Sequence, residues 1–173
     1  DGLINLADMY EDLNGDNIVN DKDRDPLNSP DPDIILGLTS NASYRNFDLS
    51  FTMRGNIGNF IYNNNESNFG NFNRLTGNTA NNIHASALLY GFQDPQFFSN
   101  AYIQDGSFLL LDNITIGYRI PQLGSANVRF FGTVQNAFNF TNYRGLDPIM
   151  ENGIDNNIYP RSRTFLVGLN VGF

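Results

Sequence analysis

Apolar and polar residues alternate along five long stretches of the chain, with the period of two that is typical of β-strands whose two faces differ. The last stretch shows the pattern most clearly, and its apolar row is Phe165, Val167, Leu169, Val171 and Phe173. The four earlier stretches are Ile34–Tyr44, Phe47–Ile57, Phe108–Ile120 and Val128–Phe138. In the third of these, Asp112 interrupts an apolar row of Phe108, Leu110, Ile114, Ile116, Tyr118 and Ile120. The pattern predicts an all-β chain of five antiparallel strands.

The strands and their connections have lengths that are typical of a transmembrane β-barrel. Each stretch has about 10 to 14 residues; a tilted strand needs about 9–11 to cross a bilayer, and strands of globular domains average about 5–6. The connections around Arg45 and from Pro121 to Ala126 are short, whereas residues 58–106 and 141–161 form long ones. Outer-membrane barrels have short periplasmic turns and long external loops. If the C-terminus lies in the periplasm, both long connections and residues 1–33 are expected outside.

Five strands cannot close a barrel by themselves. Small barrels need about eight strands, and an open edge in lipid leaves unpaired backbone groups that cost about several kcal/mol each. The chain contains no run of about 18 apolar residues that would predict a transmembrane helix, and neither an initiator Met nor a signal-peptide pattern. We therefore expect further strands from an upstream part of the same polypeptide or from another chain.

Negative charge is concentrated at the start of the chain. Residues 1–33 contain ten acidic residues and only two basic ones, within a chain of net charge −8. Nucleic-acid binding is excluded as a function class because it requires clustered Lys and Arg. The absence of cysteine excludes disulfides and Cys-based zinc sites. A divalent cation is the partner that this acidic segment favours.

The acidic segment contains the ligand spacing of a calcium-binding loop. The candidate ligands are the side chains of Asp12, Asn14, Asp16 and Asp23 and the backbone carbonyl of Ile18. Calcium prefers six to eight oxygen ligands, and loop positions 1, 3, 5, 7 and 12 bring such oxygens together. Position 6 is Asn17 instead of the usual Gly, although Asn tolerates the left-handed conformation. The spacing predicts structural Ca²⁺, with Mg²⁺ as the weaker candidate; the alternative is an Asx-rich turn that caps its own backbone.

Aromatic residues cluster at the ends of the predicted strands. They are Tyr44, Phe47, Tyr118, Phe138, Phe140, Tyr143 and Phe173. Barrels have aromatic girdles at both membrane interfaces, although Phe and Tyr are also good strand formers. A second aromatic group lies in the long connection 59–101 and would either stack on sugar rings, meet a partner protein or pack on itself.

The sequence gives no indication of catalysis. His84 is the only histidine, and we find no Ser or Cys partner for it at a recognisable spacing. Paired carboxylates are plentiful, but no pair is predicted to converge in a cleft. We therefore predict no catalytic residues and no enzyme activity.

Nine short stretches, in order along almost the whole chain, resemble the SusC-like TonB-dependent transporters of the Bacteroidetes outer membrane. The first five stretches are Tyr10–Asp16, Pro32–Gly37, Tyr44–Ser50, Gly58–Asn63 and Tyr102–Phe108. The other four are Asn113–Tyr118, Gln135–Phe138, Thr141–Pro148 and Tyr159–Phe173. The chain departs from the family at Ile149, where an acid often follows Asp-Pro, and in the lack of Trp in the loops.

The resemblance implies a 22-stranded barrel with an N-terminal plug, of which residues 34–173 form the last five strands. Residues 1–33, which the order of short and long connections places outside, would form an extracellular acidic loop. The resemblance also implies import of oligosaccharides, or sometimes peptides, driven by a TonB complex that contacts the missing N-terminal part. A SusD-like surface lipoprotein would cover the external loops. The sequence does not identify ligand-binding residues. The alternative is a secreted, calcium-stabilised β-sandwich that binds glycans.

Overall fold

The computed structural model describes residues 10–76, 82–123, 126–150, 152–156 and 159–172. The chain divides into two compact units, which are described separately below. The sheet unit comprises Ser29–Asn65 and Gln104–Phe173, and the loop unit comprises Asp1–Asn28 and Glu66–Ile103.

The sheet unit is built on one antiparallel sheet of five strands. In chain order the strands of the molecule are β1 (Ile34–Tyr44), β2 (Phe47–Ile57), β3 (Phe60–Tyr62), β4 (Ile103–Asp105), β5 (Phe108–Leu123), β6 (Ala126–Thr141) and β7 (Thr164–Gly172). The order in the sheet is β1-β2-β5-β6-β7, and β3 pairs with β4 in a separate two-stranded sheet. The five predicted strands are confirmed. β5 and β6 are longer than the pattern predicted, so most of the expected Pro121–Ala126 connection is strand.

The register confirms the two-faced character of the strands, with one exception. Directly paired residues share a face, and the pairs Tyr44↔Phe47, Phe47↔Tyr118 and Tyr118↔Phe130 follow one apolar row across β1, β2, β5 and β6. The predicted row of β7 lies on the same face, because Val167 pairs with Gly132 and Leu169 with Phe130. Phe173 lies outside the described residues.

The exception is the N-terminal part of β5, from Phe108 to Leu111. We predicted that Phe108 and Leu110 share a face with Ile114, but this is wrong. The register shifts between Leu111 and Asn113, so the residues beyond the shift change face. Phe108 and Leu110 therefore lie on the polar face, where they are buried. A bulge inserts one extra residue and reverses the alternation, and Asp112, which interrupts the apolar row, lies at that point.

The apolar face of the sheet is exposed. Phe165 and Val167 are 72% and 93% exposed, and in the described part of the chain no second sheet packs on them. This observation contradicts the β-sandwich alternative, in which these side chains would form the core between two sheets.

The loop unit consists of short helices and turns. Its α-helices are Asn64–Phe69, which begins at the end of the sheet unit, Asn73–Thr76 and Ser86–Tyr90, and 3₁₀ turns occur at Asp21–Asp23 and Asn100–Tyr102. None of the helices in the described residues is long and apolar enough to cross a membrane. Several buried residues of this unit are polar, including Glu66, Ser67 and Asn71. Its interior therefore depends on side-chain hydrogen bonds as well as on apolar packing.

Candidate functional site

The polar face of the sheet carries ion pairs that join different strands. The Arg129 guanidinium on β6 forms two bonds to the Asp48 carboxylate on β2, one of them from Nε to Oδ1 at 2.9 Å. The pair spans β5 at Gly117, where a Cβ atom would clash with both side chains. On the same face, Arg54 donates from Nε to Asp112 Oδ1 at 3.1 Å. This face therefore has the charged, hydrogen-bonded character that is typical of a barrel lumen.

The apolar face carries aromatic residues near both ends of its strands. Near the β1–β2 turn, the Phe47 and Tyr118 rings lie 4.8 Å apart between centroids. Near the opposite end, the Phe138 and Phe140 rings stack at 6.3 Å. The prediction that Tyr143 belongs to this set is wrong, because Tyr143 is buried in a loop. Tyr44, Phe47, Tyr118, Phe138 and Phe140 fit the positions of two interfacial girdles, and Phe173 lies outside the described residues.

The predicted metal loop folds as a closed turn. Asp12 accepts hydrogen bonds from the amides of Gly15 and Asn17, at 2.7 and 2.6 Å. The Asp23 carboxylate returns to the start of the loop and accepts from the amide of Leu13 at 3.1 Å. Asn17 has φ 64, the left-handed conformation expected for position 6. The structure therefore brings Asp12 and Asp23, the first and last candidate ligands, to the same place.

The other candidate ligands bind local backbone groups. Asn14 Oδ1 accepts from the Asp16 amide and Asp16 Oδ1 from the Ile18 amide, both at 2.8 Å. The Ile18 carbonyl accepts from Asn20 Nδ2 at 2.9 Å. Within the described residues, no group of three or more acidic, His or Cys side chains is arranged to hold a metal ion. These contacts are those of an Asx-rich turn, although each carboxylate keeps further lone pairs, so the metal remains a prediction.

Asp23 is stabilised as a carboxylate within this turn. The backbone hydrogen bond from Asn20 is the main cause that lowers the pKa of Asp23, and amides of Asn14 and Leu13 add to it. Hydrogen bonds donated to a carboxylate favour its charged form. The side chains of Asn20 and Asp23 each accept from the other residue's backbone amide, which forms a capping box at the 3₁₀ turn, and Asn20 also accepts from the Lys22 amide.

Buried polar contacts connect the loops of the sheet unit. Arg161 donates to Asp147 from Nε at 2.6 Å and from Nη2 at 2.8 Å. Tyr143 donates its hydroxyl to Asp155 Oδ2 at 2.7 Å, and Asn65 Nδ2 donates to Asp155 Oδ1 at 3.1 Å. The pattern of alternation did not reveal these contacts. The only signal for them was that Asp147, Tyr143 and Arg161 fall within the family-like stretches.

The structure places a serine beside the only histidine, which corrects our sequence-based expectation. His84 Nδ1 lies 2.9 Å from Ser86 Oγ and accepts from the Ser86 amide at 3.2 Å. Ser86 is buried at the first turn of its short helix. The contact between residues two apart is a local turn that satisfies the start of the helix, and the serine is not presented to a substrate.

Aromatic side chains of the loop unit divide into a packed and an exposed group. The Tyr90 and Phe92 rings stack at 5.4 Å, and Tyr102 meets Tyr90 edge-on at 5.8 Å. These rings pack on one another, as one of our alternatives for the loop aromatics expected. Phe98 is 73% exposed and has φ 62, with the Arg24 guanidinium 4.8 Å above its ring. Neighbouring Phe97 is also exposed, and sequence reasoning had singled out neither residue.

Long antiparallel strands, an exposed apolar face and a charged opposite face define strands of an outer-membrane β-barrel as the class of this protein. Comparison with known proteins gives the family. No protein-family model matches the chain. The TonB-dependent receptor SusC of Bacteroides thetaiotaomicron is 35% identical over 97% of this chain. The TonB-dependent receptors P3 and P26 of Formosa agariphila are 28% and 31% identical over 96% and 95% of it.

Solved structures agree on the fold. The RagAB peptide importer in its closed-closed state matches 82% of this chain with a TM-score of 0.68 and 22% identity. In its open-open state it matches 84% with a TM-score of 0.65. The chain belongs to the SusC-like TonB-dependent receptors, which are outer-membrane proteins. It spans about a fifth of the length of the relatives that it matches, 18% of SusC and 17% of the importer chain.

Proposed function

We propose that the chain is the C-terminal part of the barrel of a TonB-dependent importer that takes up oligosaccharides or other large nutrients. The observation that carries this proposal is the sheet itself, which exposes Phe165 and Val167 on one face and joins Asp48 to Arg129 on the other. Lipid would cover the first face, and a wet lumen would lie against the second. Further strands of the same polypeptide would pair with the edges of β1 and β7, in keeping with the proposed count of 22.

The proposal includes two partner proteins and the orientation of the barrel in the membrane. The long connections would face the cell exterior, where a SusD-like lipoprotein covers them, and the TonB complex would contact a part of the polypeptide outside this chain. The kinship with SusC and the fold shared with the RagAB importer support this assignment. The name of RagAB refers to peptides, so peptides are the second substrate class to test.

Uptake by the whole receptor tests this function. Cells that carry the full-length receptor and its neighbouring lipoprotein would receive fluorescently labelled oligosaccharides or, separately, labelled tryptic peptides. We expect receptor-dependent accumulation of one probe class, abolished by deletion of the receptor and by dissipation of the proton gradient. Recovery of the receptor from the soluble fraction without detergent would contradict the proposal outright.

We propose that Ca²⁺ binds the turn formed by Asp12, Asn14, Asp16, Ile18 and Asp23 and has a structural role there. Support comes from the return of Asp23 to the start of the loop and from the left-handed Asn17 at position 6. The Ile18 carbonyl accepts one hydrogen bond from Asn20 Nδ2, and its second lone pair would serve the metal.

Calorimetric titration of the full-length receptor with CaCl₂ tests the metal site. We expect Asp12→Asn to abolish the binding heat, because it removes a charged ligand. The matched control is Asp25→Asn, which removes an equal charge just outside the loop. Equal binding by the wild type and Asp12→Asn, or no binding by the wild type, would refute the site.

A further inference from the structure

Three adjacent strands of the sheet each carry a glycine at mid-length, and the glycines differ in what surrounds them. A Cβ at Gly117 would clash with Arg129 and Asp48, and a Cβ at Gly168 would clash with the ring of Phe131. These two glycines make room for side chains of the polar face. At Gly132 the nearest atom to an added Cβ is the Leu166 carbonyl oxygen at 3.9 Å. Gly132 therefore leaves a space that no side chain of the described residues fills.

Gly132 has no conformational reason to be a glycine. It is not among the positive-φ residues, and its pairing with Ile116 on β5 and Val167 on β7 continues without a register shift. A glycine inside a strand weakens the strand, and such glycines often mark a bulge, a tight bend or the close approach of a ligand. The regular register excludes a bulge at this position, so we favour the close approach of another molecule.

The space above Gly132 is an open apolar groove of about 580 Å³. Its walls are the side chains of Ile116, Tyr118, Phe130, Val167 and Leu169. All of them belong to the exposed face of the sheet, and one end of the groove is formed by the aromatic row of Tyr118 and Phe130. The walls carry no charged group. Their only polar side-chain group is the Tyr118 hydroxyl at one end, whereas a phosphate, a peptide backbone or a sugar needs several hydrogen-bonding groups in a binding site.

We propose that this groove binds one hydrocarbon chain of a bilayer lipid, with the lipid backbone directed toward the row of Tyr118 and Phe130. The inference depends on the proposed function, because that function places this face of the sheet in the membrane. Tyrosine at the end of the groove fits the preference of Tyr for the boundary between hydrocarbon and headgroups. The walls hold the chain by apolar contact, and the missing Cβ of Gly132 allows it to approach the strand backbone.

Lipid retention by the full-length receptor tests the inference. The receptor would be reconstituted with phosphatidylethanolamine, transferred to mild detergent and analysed by native mass spectrometry. We expect the wild type to retain a bound phospholipid whose occupancy falls at least about fivefold in Gly132→Leu. Fivefold corresponds to about 1 kcal/mol, within the range for burial of an apolar group.

The matched control is Ala42→Leu. Ala42 lies in the same transverse row of the apolar face, through the successive pairs Ala42↔Leu49, Leu49↔Ile116 and Ile116↔Gly132. Ala42→Leu therefore introduces the same leucine side chain in the same row but away from the groove, and we expect normal lipid occupancy. Gly132→Ala replaces the leucine variant if that variant does not fold, as judged by heat-modifiable gel mobility.

The outcomes separate the inference from the proposed function. Equal lipid retention by the wild type, Gly132→Leu and Ala42→Leu would overturn the groove as a lipid site and leave the transporter assignment intact. A change of oligomeric mass in Gly132→Leu without loss of lipid would show that a second copy occupies the groove, and would also overturn the inference. A receptor that is soluble without detergent would instead contradict the proposed function.

Discussion

The sheet unit and the loop unit satisfy their polar groups in different ways. In the sheet unit, backbone groups pair between long strands, and the side chains are divided between an apolar and a polar face. In the loop unit, side chains such as Asp12, Asp16 and Asp23 bind nearby amides. The exposed apolar residues of the two units also differ in their surroundings. Val167 belongs to a continuous apolar face, whereas Leu88 stands on a short helix. Exposure of an apolar residue therefore indicates contact with lipid only where a regular strand register extends that residue into a continuous apolar face.

The largest expected effect comes from a charge on the apolar face of the sheet. Val167→Arg would place a charge on that face between its two aromatic rows, and such a charge costs up to about 2–4 kcal/mol in a membrane barrel, with the full cost at the bilayer midplane. Urea unfolding of the full-length receptor in lipid vesicles measures the loss. Leu166→Arg, one residue away on the polar face, and Leu88→Arg in the loop unit are the controls and should cost much less. Equal destabilisation by Val167→Arg and Leu166→Arg would remove the basis for distinguishing the two faces.

Alternation was sufficient to predict the strands because a regular strand repeats one physical relation at every second residue. The bounds of β1 and β2 agree with the pattern, and the apolar row of β7 was found in full except for Phe173, which is not described. The pairing of strands joined by short turns follows from the same rule. Residues that lie directly opposite each other on antiparallel neighbours share a face, so the apolar row of one strand must pair with the apolar row of the next.

The bulge and the loop contacts could not be predicted in this way, because they do not repeat at a regular spacing along the sequence. The bulge near Asp112 is coupled to Arg54, 58 residues away, and a break in a row does not reveal whether the alternation resumes on the same face. Asp147 and Arg161 meet through the folding of a loop. The Ser86 partner of His84 escaped notice because we sought a catalytic spacing, whereas the two residues form a local turn.

A smaller effect is expected from the partly buried ion pair between Arg161 and Asp147 in the sheet unit. Arg161→Met would leave the Asp147 carboxylate without its charged donor, and loss of a hydrogen bond to a charged group costs about 1.5–3 kcal/mol. The Asp147 side chain is only 7% exposed. In the loop unit, Arg24→Met removes a pair with Asp21 whose side chains are 60% and 87% exposed, and such pairs contribute about 0–1 kcal/mol. Hydrogen exchange over residues 142–161 should rise only in Arg161→Met, and similar behaviour of both variants would refute the contrast.

We also expect opposite changes in stability when a methyl group is added to a glycine on each face of the sheet. Gly168→Ala would push against the Phe131 ring on the polar face, and such overpacking costs about 1–3 kcal/mol. Gly132→Ala meets only open space, so the lower backbone entropy of alanine should leave stability unchanged or raise it by about 0.5 kcal/mol. Unfolding midpoints in urea measure both changes. A loss at Gly132 as large as that at Gly168 would contradict the open groove.

The smallest effect is expected in the acidic turn of the loop unit, and it depends on pH. Hydrogen bonds from Asn20, Asn14 and Leu13 hold the pKa of Asp23 below its ordinary value of 3.8. A lowered pKa in the folded state means that the carboxylate stabilises the turn at pH values above 3.8, and that this contribution is lost as the pH falls through the lower, folded value. Asp23→Asn should therefore increase proteolysis of residues 10–28 at neutral pH, whereas Asp25→Asn should not. Because an asparagine side chain cannot titrate, the turn of Asp23→Asn should lose less of its closure on acidification than the wild-type turn does. A wild-type turn that stays equally closed at a pH below the lowered, folded-state pKa of Asp23 would disprove the role of Asp23.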